Sequence, residues 1–222
     1  MPVKLSSTGG GDVTLAAPNT GSSYTITLPA ATANLVTTSD SGVVTTGMIA
    51  SNAITRSLLP TGSVLQVVQT AKTSTTSIAV SGNSWNEFDS AFRVSITPIS
   101  TNNKILLTAC VTGAQNTGTV RYKFQYSTNG GSSWSDVTPI GDASSNRSRG
   151  HFGYAVNGDT NQFNTCTMEI LHSPGVNTNI IYRIQFGQDV STTYYFNRSI
   201  AYGDNFLGGT MTSTFIAKEI VG

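Results

Sequence analysis

Pro60-Thr-Gly-Ser-Val-Leu-Gln-Val-Val-Gln69 reads as the first full-length β-strand of the chain. Val64, Leu65, Val67 and Val68 are β-branched or apolar, and Pro60-Thr-Gly62 stops whatever precedes them. Upstream of this stretch the sequence is thin, repetitive and poor in core residues. Downstream it has the spacing of a compact β domain. The strand therefore marks the expected boundary between a stem, residues 1–59, and a head, residues 60–222.

Strand signals follow one another through the head. Phe92, Val94 and Ile96 alternate inward before Pro98. Lys104-Ile-Leu-Leu-Thr-Ala-Cys-Val111 is apolar on both faces over part of its length, as expected of a central strand or one at a subunit contact. Thr119-Val-Arg-Tyr-Lys-Phe-Gln-Tyr126 alternates most cleanly, with Val120, Tyr122, Phe124 and Tyr126 inward and Arg121, Lys123 and Gln125 outward. Asn129-Gly-Gly131 then gives the strongest hairpin signal. Further strands are expected at 77–80, 151–156, 164–171, 180–186 and 213–221. Short strands at this spacing predict an all-β head, an antiparallel β-sandwich of jelly-roll type.

The stem has a different economy. Val13 and Leu15 share one face of a short alternating segment, and Tyr24, Ile26 and Leu28 share a face of another. Ordering backbone costs roughly 1–2 kcal/mol per residue, which a lone segment with so few large apolar groups does not offset. Either the stem is disordered or it buries its apolar edge against copies of itself. The regular alternation favours the second, with three chains around an axis sharing one core.

Composition narrows the function. Of 222 residues only 10% are charged, the formal net charge is +1, and Ser and Thr together supply about a quarter of the chain. Such a balance gives no footprint for nucleic acid or an anionic membrane. No apolar run is long enough to span a bilayer as a helix. Met1-Pro-Val-Lys-Leu5 lacks the apolar run of a secretory signal, so synthesis and folding in a cytoplasm are expected. That compartment favours free thiols at Cys110 and Cys166 over a disulfide.

The order of the stem segments carries a resemblance. Asp12-Val-Thr-Leu-Ala-Ala-Pro18, Tyr24-Thr-Ile-Thr-Leu-Pro29 and Leu35-Val-Thr-Thr-Ser-Asp-Ser-Gly42 resemble the stem motif of tailed-bacteriophage fibre proteins. Gly47-Met-Ile-Ala-Ser-Asn-Ala-Ile-Thr55 and Leu59-Pro-Thr-Gly-Ser-Val-Leu-Gln66 resemble the stem-to-head junction of such fibres, and Ser213-Thr-Phe-Ile-Ala-Lys-Glu-Ile220 is similar to the last strand of their heads. The likeness covers the first third of the chain and its end. It implies a homotrimeric virion appendage, made in the host cytoplasm, with a β-sandwich tip. Residues 1–59 would then be the trimerisation and anchoring region that meets other virion proteins. The head would contact the host cell surface. A capsid-attached head fibre of the same fold is the alternative, and a carbohydrate-binding module a more distant one.

Catalytic patterns are sparse. His151 and His172 have no Cys or His partner at metal-ligand spacing and read as surface or capping residues. Glu87 and Asp89 form the one close acidic pair and read as solvated turn acids. No catalytic residue, cofactor or metal is expected. Binding is the better lead. Arg147 and Arg149 sit in a Ser/Asn-rich loop, and Tyr194 and Tyr195 pair flat aromatic faces with Asn197 and Arg198. Donors beside aromatic faces suit the C–H faces and hydroxyl rims of sugars. These four are the expected contacts for a host surface glycan. The competing expectation for the tyrosines is packing in a strand. Trp85 and Trp134 share that ambiguity.

Overall fold

The computed structural model describes residues 3–6, 8–15, 21, 49, 54–55, 58–156, 159–204, 206 and 208–222. The chain divides into two compact units, Met1–Ala53 and Ile54–Gly222. In the first, β1 (Val3–Ser6) and β2 (Asp12–Leu15) form an antiparallel hairpin, Val3 opposite Leu15 and Ser6 opposite Asp12. Gly10 turns the chain at φ 85°, a left-handed conformation that glycine adopts freely. The strands expected at 24–28 and 34–37, and the shared core of the stem, lie outside the described residues.

The second unit is all-β. Its strands are β3 (Val64–Lys72), β4 (Thr76–Val80), β5 (Ser84–Glu87), β6 (Val94–Ile96), β7 (Lys104–Ala114), β8 (Thr119–Ser127), β9 (Ser135–Asp136), β10 (Phe152–Ala155), β11 (Asn164–His172), β12 (Ile180–Gln188), β13 (Thr192–Phe196) and β14 (Ser213–Ile220). Every pairing is antiparallel. Three pairs of strands lie end to end along one neighbour, β5/β6 on β12, β9/β10 on β8 and β13/β14 on β7, and β3/β4 lie in turn along β14 and β13. Counting each as one broken strand leaves a β7 sheet ordered first, eighth, third, sixth, and a β8 sheet ordered second, seventh, fourth, fifth. That is the jelly-roll order.

The alternation seen in sequence sets the faces. Phe92, Val94, Ile96, Val120, Tyr122 and Phe124 are all buried between the sheets, as expected. Phe88 sits at the centre, its ring 4.6 Å from both Phe186 and Phe196 in stacked geometry. β7 is flanked on one edge by β11 and on the other by β14 and β13, a central strand as its sequence suggests.

Asn197 joins the broken strands. At φ 59° it turns the chain out of β13. Its amide donates to the carbonyls of Lys72 and Ser74 at the β3–β4 break, and its Oδ1 accepts from Ser213 at the start of β14.

Candidate functional site

The four expected contact residues separate in the structure. Tyr194 is fully buried, and its hydroxyl lies 2.9 Å from that of Tyr122, which in turn lies 3.2 Å from that of Tyr154. Its ring covers Gly113, where a Cβ would stand 2.2 Å from the hydroxyl oxygen. Burial raises the phenol well above its ordinary pKa. Tyr194 thus has no face to offer a ligand, which corrects the glycan-contact expectation and favours the packing one. Tyr195, the next residue, points to the opposite side and is half-buried. Arg198 lies 4.4 Å from its ring and 4.9 Å from that of the exposed Tyr202, and donates to Ser77 Oγ at 2.6 Å.

Both histidines differ from the surface role expected of them. The chain leaves the β8 edge at Val137 and rejoins it at His151, so residues 138–150 are an excursion between β9 and β10. In the gap the Phe124 amide donates to His151 Nδ1 at 3.2 Å, while His151 Nε2 lies 3.0 Å from the Val137 carbonyl. The imidazole stands in for missing strand pairing, and burial lowers its pKa. His172 is buried, with Nδ1 2.9 Å from Tyr182 Oη, and desolvation depresses it to about 4.

The acidic pair at 87 and 89 is engaged in ion pairs. Glu87 binds Arg93 in bidentate fashion at 2.5 and 2.7 Å and also takes Arg183 at 3.1 Å. Both guanidinium groups lie over the Trp134 ring, at 5.0 and 4.0 Å. Trp134 is therefore a packing element of this cluster. Asp89 pairs with Lys72 at 2.6 Å, and that contact, with the Ala91 amide, lowers its pKa. Among the described residues no group of three or more His, Cys, Asp or Glu is placed to hold a metal. No described helix is long and apolar enough to cross a membrane.

Cys110 and Cys166 are free. The register sets Cys166 opposite Val111 and Cys110 opposite Thr167. Neighbours one step apart point to opposite faces, so Cys166 packs inward and Cys110 outward.

The remaining arginine, Arg147, borders a concavity of the head. This cleft of about 840 Å³ lies on the outer face of the β8 sheet. Its floor is one row of the sheet, Trp85 opposite Gly187 opposite Arg121. A Cβ at 187 would stand 3.0 to 3.3 Å from three indole atoms, so glycine allows Trp85 to lie on the β12 backbone. One wall is the β4–β5 turn, where Asn83 is held at φ 60° with its amide donating to the Gln188 carbonyl at 2.7 Å. The other wall is Asn146, Arg147 and Ser148 from the excursion loop. The loop is fastened by Gly141 N–H to Gly150 O and by Arg147 N–H to Ser144 O.

No protein-family model and no curated protein sequence matches the chain.

The cleft brings together one of the four expected residues, Arg147, with three the sequence did not single out for the site: Arg121, Asn83 and Asn146. Arg149 turns back to the Gly141 carbonyl through Nε at 2.6 Å and serves the loop. Arg121 was legible as an outward residue of β8. Its meeting with the loop was not, because the β9–β10 excursion has no periodic signal.

Proposed function

We propose that the chain is a structural virion protein: a homotrimeric tailed-phage fibre, without enzymatic activity, whose residues 1–59 form the stem and virion anchor and whose head contacts the host surface. The observation that carries this reading is the ordered run of stem motifs in front of a jelly-roll head. The β1–β2 hairpin at the start of that run supports it.

One face of the head supports self-association. The outer side of the β7 sheet presents rows read directly from the register. Leu171, Leu106, Lys218 and Val67 form one; Glu169, Thr108, Ile216 and Gln69 the next; Thr167, Cys110, Thr214 and Ala71 the third. Twelve positions hold one acid and one base. Val64, Val67 and Leu171 are 51%, 57% and 44% exposed in the single chain. Aliphatic groups of this kind gain about 25 cal/mol per Å² when buried. Lys218 and Glu169 lie on different strands of the face, where rotation about a three-fold axis can pair one copy's acid with the next copy's base.

The test is antibody labelling of intact particles for this chain. Label on the tail supports the tail-fibre reading. Label on the capsid supports the head-fibre alternative. Particles free of the chain contradict both.

A further inference from the structure

We propose that the cleft between the β4–β5 turn and the 141–150 loop is a binding site for an acidic oligosaccharide. The lining is the argument. Arg121 and Arg147 bring two guanidinium groups to one cleft whose lining holds no carboxylate. A nearby carboxylate, Asp189, lies outside the lining; it accepts from the Thr119 amide at 2.8 Å, and that bond and, more weakly, the Arg121 charge hold its pKa down. Neither arginine has a salt bridge among the described residues, in contrast to Arg93 and Arg183 farther along the same face. Guanidinium groups bind carboxylate or phosphate oxygens through parallel N–H bonds.

The other lining groups define the rest of the ligand. Asn83, Asn146 and Ser148 are uncharged donors and acceptors on opposite walls, suited to ring hydroxyls. Trp85 lies on the Gly187 backbone with Lys123 Nζ 4.6 Å from its ring, and the part of the indole left half-exposed at the floor is suited to the C–H groups of a sugar. The volume is within the range of small-ligand sites, roughly 300–1,000 Å³. A bare anion would use the arginines and leave the other walls unengaged. A neutral sugar would leave the Arg147 guanidinium without a counter-charge.

The chemistry of the cleft stands apart from the fibre reading; only the expected source of the ligand, a host surface glycan, rests on it. The experiment is titration calorimetry of the full-length protein with trigalacturonate, sialyllactose, maltotriose and inorganic phosphate. At least one acidic oligosaccharide should bind, with maltotriose and phosphate each weaker by about tenfold or more. Arg147→Ala and Arg121→Gln should each weaken the acidic ligand by about tenfold, with melting temperature unchanged. Arg198→Ala, beside Tyr195 and outside the cleft, should leave binding as it is.

The proposal is overturned if no acidic oligosaccharide binds, or if maltotriose or phosphate binds as well as the best acidic one. It is also overturned if Arg198→Ala is the variant that abolishes binding, which would move the site to the Tyr195 stack. Acidic-sugar binding by a chain absent from labelled particles would sink the fibre reading and leave the cleft standing.

Discussion

The two outer faces of the head obey different rules although they cover the same sandwich. On the β8 sheet, Arg93, Arg183, Glu87, Gln125, Lys123 and Asp136 satisfy one another, and two tryptophans lie beneath the cations. That face is complete in one chain except where Arg121 and Arg147 border the cleft. Among the twelve outward positions of the β7 sheet named above, threonines and aliphatics predominate with a single acid and a single base, and Lys104 adds a second base at the end of the face. One face is closed by its own side chains. The other leaves apolar area that only a partner removes from water. The contrast separates a surface suited to a ligand from one suited to a copy.

The core between the faces sets the energy scale. Tyr194→Ala should destabilise the head by about 3–5 kcal/mol, as large aromatic truncations do, measured by denaturant unfolding. A near-neutral result with lost ligand binding would return Tyr194 to the surface role and blur the distinction between core and face.

His172 sharpens the same scale through pH. Its pKa falls from 6.5 to about 4 on folding, so the folded state binds fewer protons in that window. Its stabilising contribution is full above pH 6.5, is lost as pH falls toward 4, and changes no further below that. The whole loss is about 3 kcal/mol. His151, lowered in the same direction, adds to the slope near its upper end. Unfolding free energy measured from pH 7 to 4 should fall, and His172→Gln should flatten the curve.

On the β8 face, Glu87→Ala leaves Arg93 and Arg183 without their shared carboxylate. Solvent reaches all three side chains, so the expected loss is about 1–2 kcal/mol. Glu169→Ala on the other face should cost less than about 0.5 kcal/mol in the single chain. Equal losses at the two positions, read from thermal unfolding, would erase the proposed difference between the faces.

Much of this was legible in the sequence. The period-two runs at 92–97 and 119–126 gave both the strands and their inward residues, because one face of each is buried. β5 was not legible: Ser84-Trp-Asn-Glu87 is polar and lies at a sheet edge, where hydrogen bonding to β12 makes the strand. β13 was masked by its aromatics, since Tyr194 and Tyr195 look alike in a string and point to opposite sides in a strand. The His151 role depends on a gap between β9 and β10 that tertiary pairing alone creates, and that of His172 on Tyr182, brought to it from β12. Gln125, outward by alternation, is nevertheless buried, because Arg183 and Asp136 close over it.

The smallest expected change in chain stability accompanies the most direct test. Val67→Asp places a carboxylate on an exposed position and should leave the fold of one chain intact, within about 0.5 kcal/mol. Light scattering on the full-length wild-type protein should give about three chain masses, and on Val67→Asp a lower mass. A wild-type monomer at every concentration would contradict the account; a variant that assembles unchanged would contradict the role of the β7 face and leave assembly to residues 1–59.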